Sequence, residues 1–389
     1  MKTLSLRRLA FFFLLILVFF LVFGGNRIFK TASSCTRNQY DYLSLFSEVI
    51  ALVKTDYVEE IKPSEKFPGA FTGMLYSTDK LSAYLNSNYT DRYRLYQQNK
   101  TFNCGIYGIK YGNYFYVTAA AKNSPAETHG IKPGWVIKGI NGKNIFGLSY
   151  WEMALSLSSE KNIPIELILF EKGSSTPTHI TLPSSLPTQS ITLQKIEENT
   201  LYIELFRINT ESTATLKQIL EKETPGSDPL KLILDLRKTD MGDLDSFVQL
   251  TPLLLHSPIQ LTVHTKTNRE KISLTPFTGK GFNTNAAIII NRSTILYNEL
   301  LAAALKIDRE NQKSSNPSIT FIGAKTRGLI SRLNQIPLRD GTSILLSDAL
   351  FELDGKKTAA AGITPDIKLT EDEFSTVIDR CLALLKKNP

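Results

Sequence analysis

Apolar and polar positions divide the chain into stretches of different periodicity. From Leu9 to Phe23 every residue is apolar, with Lys2, Arg7 and Arg8 before the run and Gly24, Gly25 and Arg27 after it. From Tyr40 to about Leu85 the spacing is helical: Leu45, Val49, Leu52 and Val53 recur at three- and four-residue intervals. Breaks at Pro63 and at Pro68-Gly69 place the start of a second helix near Gly69. Between residues 105 and 170 the pattern turns to short β-rich runs, Tyr114–Ala119 and Ile165–Phe170 among them, set between glycine turns and one amphipathic helix near Tyr150–Leu157. Residues 173–190, rich in Ser, Thr and Pro, read as a linker or an edge connection. Beyond them the apolar strands Leu201–Phe206, Lys231–Leu236 and Ala286–Ile290 alternate with helical stretches near 211–223, 243–255 and 298–306. A short strand at Ile367–Leu369 precedes a last helix over 371–387. Continuous apolar strands alternating with helices predict an α/β layer whose sheet is covered on both faces.

Composition narrows the class. With 389 residues, 42% of them apolar and 21% charged, the chain buries cores of ordinary size and is neither disordered nor collagen-like. The net charge of +8 is concentrated: residues 1–40 hold six Lys/Arg and no acid, leaving +2 for the remainder. Basic residues flanking one apolar run follow membrane topology, so a nucleic-acid partner is excluded. Fifteen apolar residues and two glycines fall between an export signal and a full span. No small-x-small cleavage site follows the run directly, which favours an uncleaved signal anchor. Either way the positive-inside rule keeps the N-terminus cytoplasmic and sends the rest across, to the periplasmic side of a bacterial inner membrane or the outer face of a cell membrane. Cys35, Cys104 and Cys381 form no metal-type spacing and no disulfide framework. They read as isolated thiols, with one pairing left open. His129, His179, His256 and His264 are scattered without triad or metal spacing, so no metal or other cofactor is expected.

The run Ser124-Pro125-Ala126-Glu127-Thr128-His129-Gly130-Ile131-Lys132-Pro133-Gly134-Trp135-Val136-Ile137, followed by Ile140-Asn141-Gly142, resembles a PDZ domain of exported bacterial proteases. Trp135 departs from it, standing where the family usually carries an acidic residue. Such a module adds an extended chain end as a strand and captures its carboxylate on backbone N–H groups. The resemblance implies that Gly105, Ile106, Tyr107, Gly108 and Ile109 form the carboxylate-binding loop.

The flanks widen the resemblance to the carboxy-terminal processing peptidases, also called tail-specific proteases. Gly73-Met74-Leu75 leads to Asp79, Ser82, Tyr84 and Leu85, with Thr78, Lys80 and Leu81 departing from the family pattern. Ile233-Leu234-Asp235-Leu236-Arg237 precedes Lys238-Thr239-Asp240-Met241-Gly242, where the family has an Asn-Pro-Gly-Gly turn. Asn291 is followed eight residues on by Glu299, and Gly323, Thr326 and Gly328 precede Ile336-Pro337-Leu338, Asp340-Gly341 and Gly362-Ile363-Thr364-Pro365-Asp366-Ile367. The implied organisation is a signal segment over 1–25, a helical region over 36–100, a PDZ β-module over 101–173, a protease-like α/β core over 174–370 and a C-terminal helix over 371–389.

In that family a serine attacks the scissile carbonyl, a desolvated lysine takes its proton, and backbone N–H groups stabilise the oxyanion. The serine lies five residues after the Asn and three before the Glu, which is Leu296 here; the lysine directly follows the last glycine, which is Leu329; a glutamine four residues on orients the lysine, which is Leu333. Leucine neither donates nor accepts a proton, so the resemblance implies an inactive relative. The triple replacement is coherent, because losing the serine alone would strand a buried lysine, whereas three leucines can pack together. Met241 also takes the first glycine of the turn that supplies the oxyanion donor. The alternatives are an active endopeptidase with a displaced dyad, Ser293 and Lys325, and a structural envelope protein. For the inactive relative the expected partners are protein C-termini or unfolded tails, an active protease relative, the membrane, and a second copy through the N-terminal helices.

Overall fold

A computed structural model describes residues 39–187, 189–223, 230–277, 285–312, 319–358, 361–370 and 376–387. The apolar run Leu9–Phe23 and Cys35 lie outside the described residues, among which no helix is long and apolar enough to cross a membrane. Two compact units divide at Lys66 and Phe67. The first contains the helix Gln39–Asp56, on which Leu45, Val49, Leu52 and Val53 are all exposed. The next helix starts at Pro63, not near Gly69, and runs to Thr78 with Pro68 inside it. Proline is pre-set for the first helical position, so Pro63 opens the helix instead of breaking it.

The second unit is built on three larger sheets. Residues Ile106–Tyr111, Tyr114–Ala120, Val136–Ile140, Pro164–Phe170 and Pro177–Pro183 form an antiparallel β-module in that order. The module therefore extends past residue 173: the Ser/Thr/Pro-rich stretch supplies its last strand, an edge position that tolerates proline. Phe115, Val117, Ile137, Met153, Leu167 and Leu182 fill its interior, and the half-buried Trp135 packs against them. Gly108 is obligatory, since a Cβ there would lie 2.2 Å from the Tyr116 carbonyl oxygen. The helix Tyr150–Ser156 starts with a capping box, Ser149 and Glu152 exchanging side-chain and backbone hydrogen bonds.

The α/β core carries a six-stranded sheet in the order Ile191–Glu197, Thr200–Leu205, Lys231–Asp235, Ala286–Ile290, Ile319–Gly323, Ile367–Lys368, parallel except for its first pair. Alternate residues face opposite layers. Leu201, Ile203, Leu232, Leu234 and Ile288 meet the helices Thr210–Glu223, Leu244–Leu250 and Leu296–Asn311, while Tyr202, Ile233, Ala287 and Ile289 meet Val377, Cys381 and Leu385 of the last helix. Cys104 and Cys381 are free and buried, and burial pushes both thiols up to about 12.

In the third sheet the long strand Ser343–Leu353 pairs with Ala83–Leu85, Ile259–Thr265 and Arg332–Pro337. It thereby lies between Ala83–Leu85 and the strand that carries Leu333, both of which pair with its Ser343–Leu345 end, on opposite sides. Asp79 accepts from the amides of Leu81 and Ser82, both at 2.7 Å, and Ser82 Oγ in turn accepts from the Ser347 amide at 3.0 Å.

Candidate functional site

The site forms where the strand Ala286–Ile290 leaves the sheet and the helix Leu296–Asn311 begins. Hydrogen bonds fix the turn between them. Asn291 Oδ1 accepts from the Ser293 amide at 2.8 Å, and Thr294 Oγ1 accepts from the Asn291 amide at 3.0 Å and donates to the Leu236 carbonyl at 2.9 Å. Leu296 follows with φ +53°, and it is buried. Left-handed backbone costs a leucine about 1–2 kcal/mol, so surrounding contacts must impose it. One is the Leu296 amide itself, which donates to the Leu329 carbonyl at 2.7 Å.

Glu299, one turn further along the helix, clamps the same loop from below. Its two carboxylate oxygens accept from the amides of Gly328 and Leu329 at 2.7 and 2.8 Å. Burial raises its pKa, against the lowering effect of bonds from Thr326, Gly328 and Leu329. The scaffold that would bring a residue at 329 to one at 296 is thus intact, and both positions are aliphatic.

Leu296 belongs to a buried cluster with Leu81, Leu85, Tyr93, Trp151, Met241 and Ile295, against which Leu329 and Leu333 pack. Leu296 and Leu333 also line a cavity of about 150 Å³, together with Met241, Gly242, Arg207 and Tyr297. Leu329 faces a smaller crevice shared with Ile109, Ile295 and Arg327. All three leucines therefore meet one apolar cluster.

The Lys238–Gly242 turn that borders the cavity is tied down by charge. Arg237 bonds Asp235 through Nε and a terminal nitrogen, Lys238 pairs with Glu204, and Arg207 pairs with Asp240 at 2.8 Å. Burial alone would raise the Asp235 carboxyl, but the Arg237 guanidinium outweighs it and holds the group down at about 2. The Met241 amide donates to Asp240 Oδ1 at 2.6 Å, so a backbone donor at this end of the turn is already engaged. Gly242 must remain glycine, because a Cβ would sit 2.7 Å from the Ile208 carbonyl oxygen.

Residues 199–369 match the model of peptidase family S41. A carboxy-terminal-processing protease of Bartonella bacilliformis is 26% identical over 358 residues, covering 89% of this chain and 80% of the relative. The carboxy-terminal processing protease CtpA of Bacillus subtilis is 23% identical, over 95% of this chain and 79% of its own length. Among solved structures, a photosystem II D1 C-terminal processing protease superimposes with a TM-score of 0.64 at 19% identity, covering 88% of this chain and 91% of that one. Residues 199–369 thus carry the S41 match, and over most of its length this chain is similar to carboxy-terminal processing peptidases.

The other expected site residues occupy definite places. Gly105 has φ +87° and donates its amide to Asn103 Oδ1 at 2.8 Å, so that N–H is already engaged. Ile106, Gly108 and Ile109 are buried in the edge strand of the β-module, and Tyr107 stacks on Phe206 of the core with ring centroids 5.8 Å apart. Arg327 reaches across to donate to the Lys110 carbonyl at 3.3 Å. The expected carboxylate loop therefore faces the core.

Ser293 and Lys325 are not joined. The serine is buried with its hydroxyl bonded to Thr118 of the β-module, whereas Lys325 is exposed. His256 bonds Asp308 at 2.9 Å, in an arrangement that also ties the Ser257 amide to that carboxylate at 2.8 Å. Among the described residues no group of three His, Cys, Asp or Glu side chains could hold a metal ion. Sequence reasoning missed Arg207 and Tyr297, which carry no motif and come to the cavity only through the fold.

Proposed function

We propose that this chain is a pseudopeptidase of the carboxy-terminal processing kind, exported and membrane-tethered, that holds polypeptide tails without cutting them. The observation that carries the reading is Leu296, which stands at the head of its helix on an intact scaffold where the family places its nucleophile. Neither Leu329 nor Leu333 can take a proton, and the Met241 amide that borders the same cavity is occupied. The separation of buried Ser293 from exposed Lys325 argues against a displaced dyad.

The β-module is read as a PDZ domain. Its edge strand Ile106–Tyr111 pairs on one side with Tyr114–Ala120, and a bound tail would add along the other, displacing Arg327 from Lys110. The basic, apolar N-terminus would keep the chain in the bacterial envelope, on the periplasmic side of the inner membrane or the outer face of a cell membrane, where an active relative or a second copy would be its partner.

Full-length protein in detergent, titrated with a fluorescent peptide that ends in apolar residues, is expected to bind the free carboxylate form about tenfold more tightly than the amidated form. Equal binding of the two would count against a PDZ-type capture.

A further inference from the structure

The crevice beside Leu329 is lined by three cations, Lys80, Lys110 and Arg327, together with the apolar side chains of Ile109, Ile295 and Leu329. Contacts place two of the charged ends there. Lys110 Nζ stands 4.9 Å over the ring of Tyr76, which lines the same crevice. Arg327 Nη1 donates to the Lys110 carbonyl at 3.3 Å, and Tyr76 is near enough to bear on the Arg327 charge. Lys110 and Arg327 are half-buried, so each keeps some open surface, and Lys80 is exposed.

These cations lack an anion. Among the described residues no carboxylate pairs with Lys80, Lys110 or Arg327, and the Lys110 carbonyl is the one acceptor that the Arg327 guanidinium meets. The nearest acids are committed elsewhere: Glu299 accepts from the Gly328 and Leu329 amides, and Glu152 from the amide and hydroxyl of Ser149. Burial accordingly lowers the pKa of both Lys110 and Arg327, and Arg292 adds a like charge near the second. A partly desolvated cation keeps that cost until a counter-charge arrives. Size narrows the kind of anion. The void is about 20 Å³, room for roughly one or two water-sized oxygens, which fits a carboxylate and not the several oxygens of a phosphate.

We infer that this crevice is a carboxylate-binding site, which in a held tail takes the side chain of an Asp or Glu against Lys110 and Arg327. The inference rests on the reading of this chain as a binder of polypeptide tails. A tail that ends at Gly105 and pairs along Ile106–Tyr111 must run antiparallel to that strand, because Gly105 lies just before the strand begins. Its residue about four before the last then passes Lys110. There the tail's own amide replaces Arg327 at the Lys110 carbonyl, and the released guanidinium meets the acidic side chain.

Full-length protein in detergent is titrated with small probes and with peptides. Propionate, the glutamate side chain alone, is expected to bind at millimolar concentration by ligand-observed NMR, and neutral propionamide about tenfold more weakly. Arg327→Gln and Lys110→Gln should each weaken propionate roughly 3- to 10-fold. Lys325→Gln, the same charge change on an exposed side chain of the same loop, should leave it unchanged. Among peptides with one apolar free-carboxylate end, Glu placed about three to five residues before the last should at one position bind about fivefold more tightly than Gln, an advantage lost in Arg327→Gln. Propionate bound no better than propionamide, or propionate binding indifferent to both substitutions, would overturn the inference. So would amidation-sensitive peptide binding without any preference for Glu, which leaves the tail-binding reading standing. Loss of the amidation preference itself in Arg327→Gln would put the tail's own terminus in the crevice and overturn the assignment to a side chain. Peptide binding indifferent to amidation, beside propionate binding as expected, would remove the tail-binding reading and leave the carboxylate site.

Discussion

Leu296→Ser is expected to lower the stability of the fold by about 2–4 kcal/mol and to give no peptidase activity. The side chain is buried among Leu81, Leu85, Met241 and Ile295, so truncation removes a leucine's transfer free energy and leaves part of its volume as a void. The new hydroxyl enters an apolar cluster, which adds the cost of a poorly satisfied polar group. It meets no base, because Leu329 and Leu333 pack against that same cluster. Urea unfolding of wild type and variant would show the midpoint falling. A variant as stable as wild type would mean that the cluster does not hold the site together, and cleavage by the single variant would mean that a base exists elsewhere.

Asp235→Asn is expected to cost about 3–5 kcal/mol, the usual penalty for breaking a buried ion pair by removing one member. Asp235 and Arg237 bond in two places at 2.9 and 2.6 Å, and the pair lies under the turn that carries Met241. The substitution should also change how stability depends on pH. The Asp235 pKa is depressed to about 2 in the folded chain, so its contribution is complete above the unfolded carboxyl pKa of about 4 and is lost as pH falls toward 2. That window accounts for about 2 kcal/mol. Chemical unfolding at pH 3 and pH 6 should therefore show wild type losing more stability on acidification than the Asn variant. Parallel losses in the two proteins would contradict the assignment.

What was legible in the sequence was whatever depends on local pattern. The continuous apolar run Leu232-Ile233-Leu234 marked a strand covered on both sides, and the sheet covers it with helices from the two layers. The Asn291-to-Glu299 and Gly328 spacings brought positions 296 and 329 to one place without any view of the fold, because a helix start and a glycine loop hold their geometry within a few residues. What was not legible depends on contacts distant in sequence. The strand Ala83–Leu85 is too short to show a period, and it exists because Ser343–Leu353 pairs with it from about 260 residues away. The pattern at Pro63 read as a break, while the chain uses the same proline to open a helix. Nothing in the local pattern showed that the Gly105 amide, in the loop the resemblance assigns to carboxylate capture, is held by Asn103. The placement of Arg207 follows only from partners supplied by two separate segments, the helix end at Tyr96 and Asn99 and the turn at Asp240.

The central claim is that the scaffold of a peptidase has been kept and its proton relay replaced by carbon. Incubation of homogeneous full-length protein with an unstructured polypeptide ending in apolar residues, followed by mass spectrometry, tests it most directly. The account predicts an intact substrate after prolonged incubation, under conditions in which an active relative cuts it. Reproducible cleavage that disappears in Ser293→Ala would contradict it.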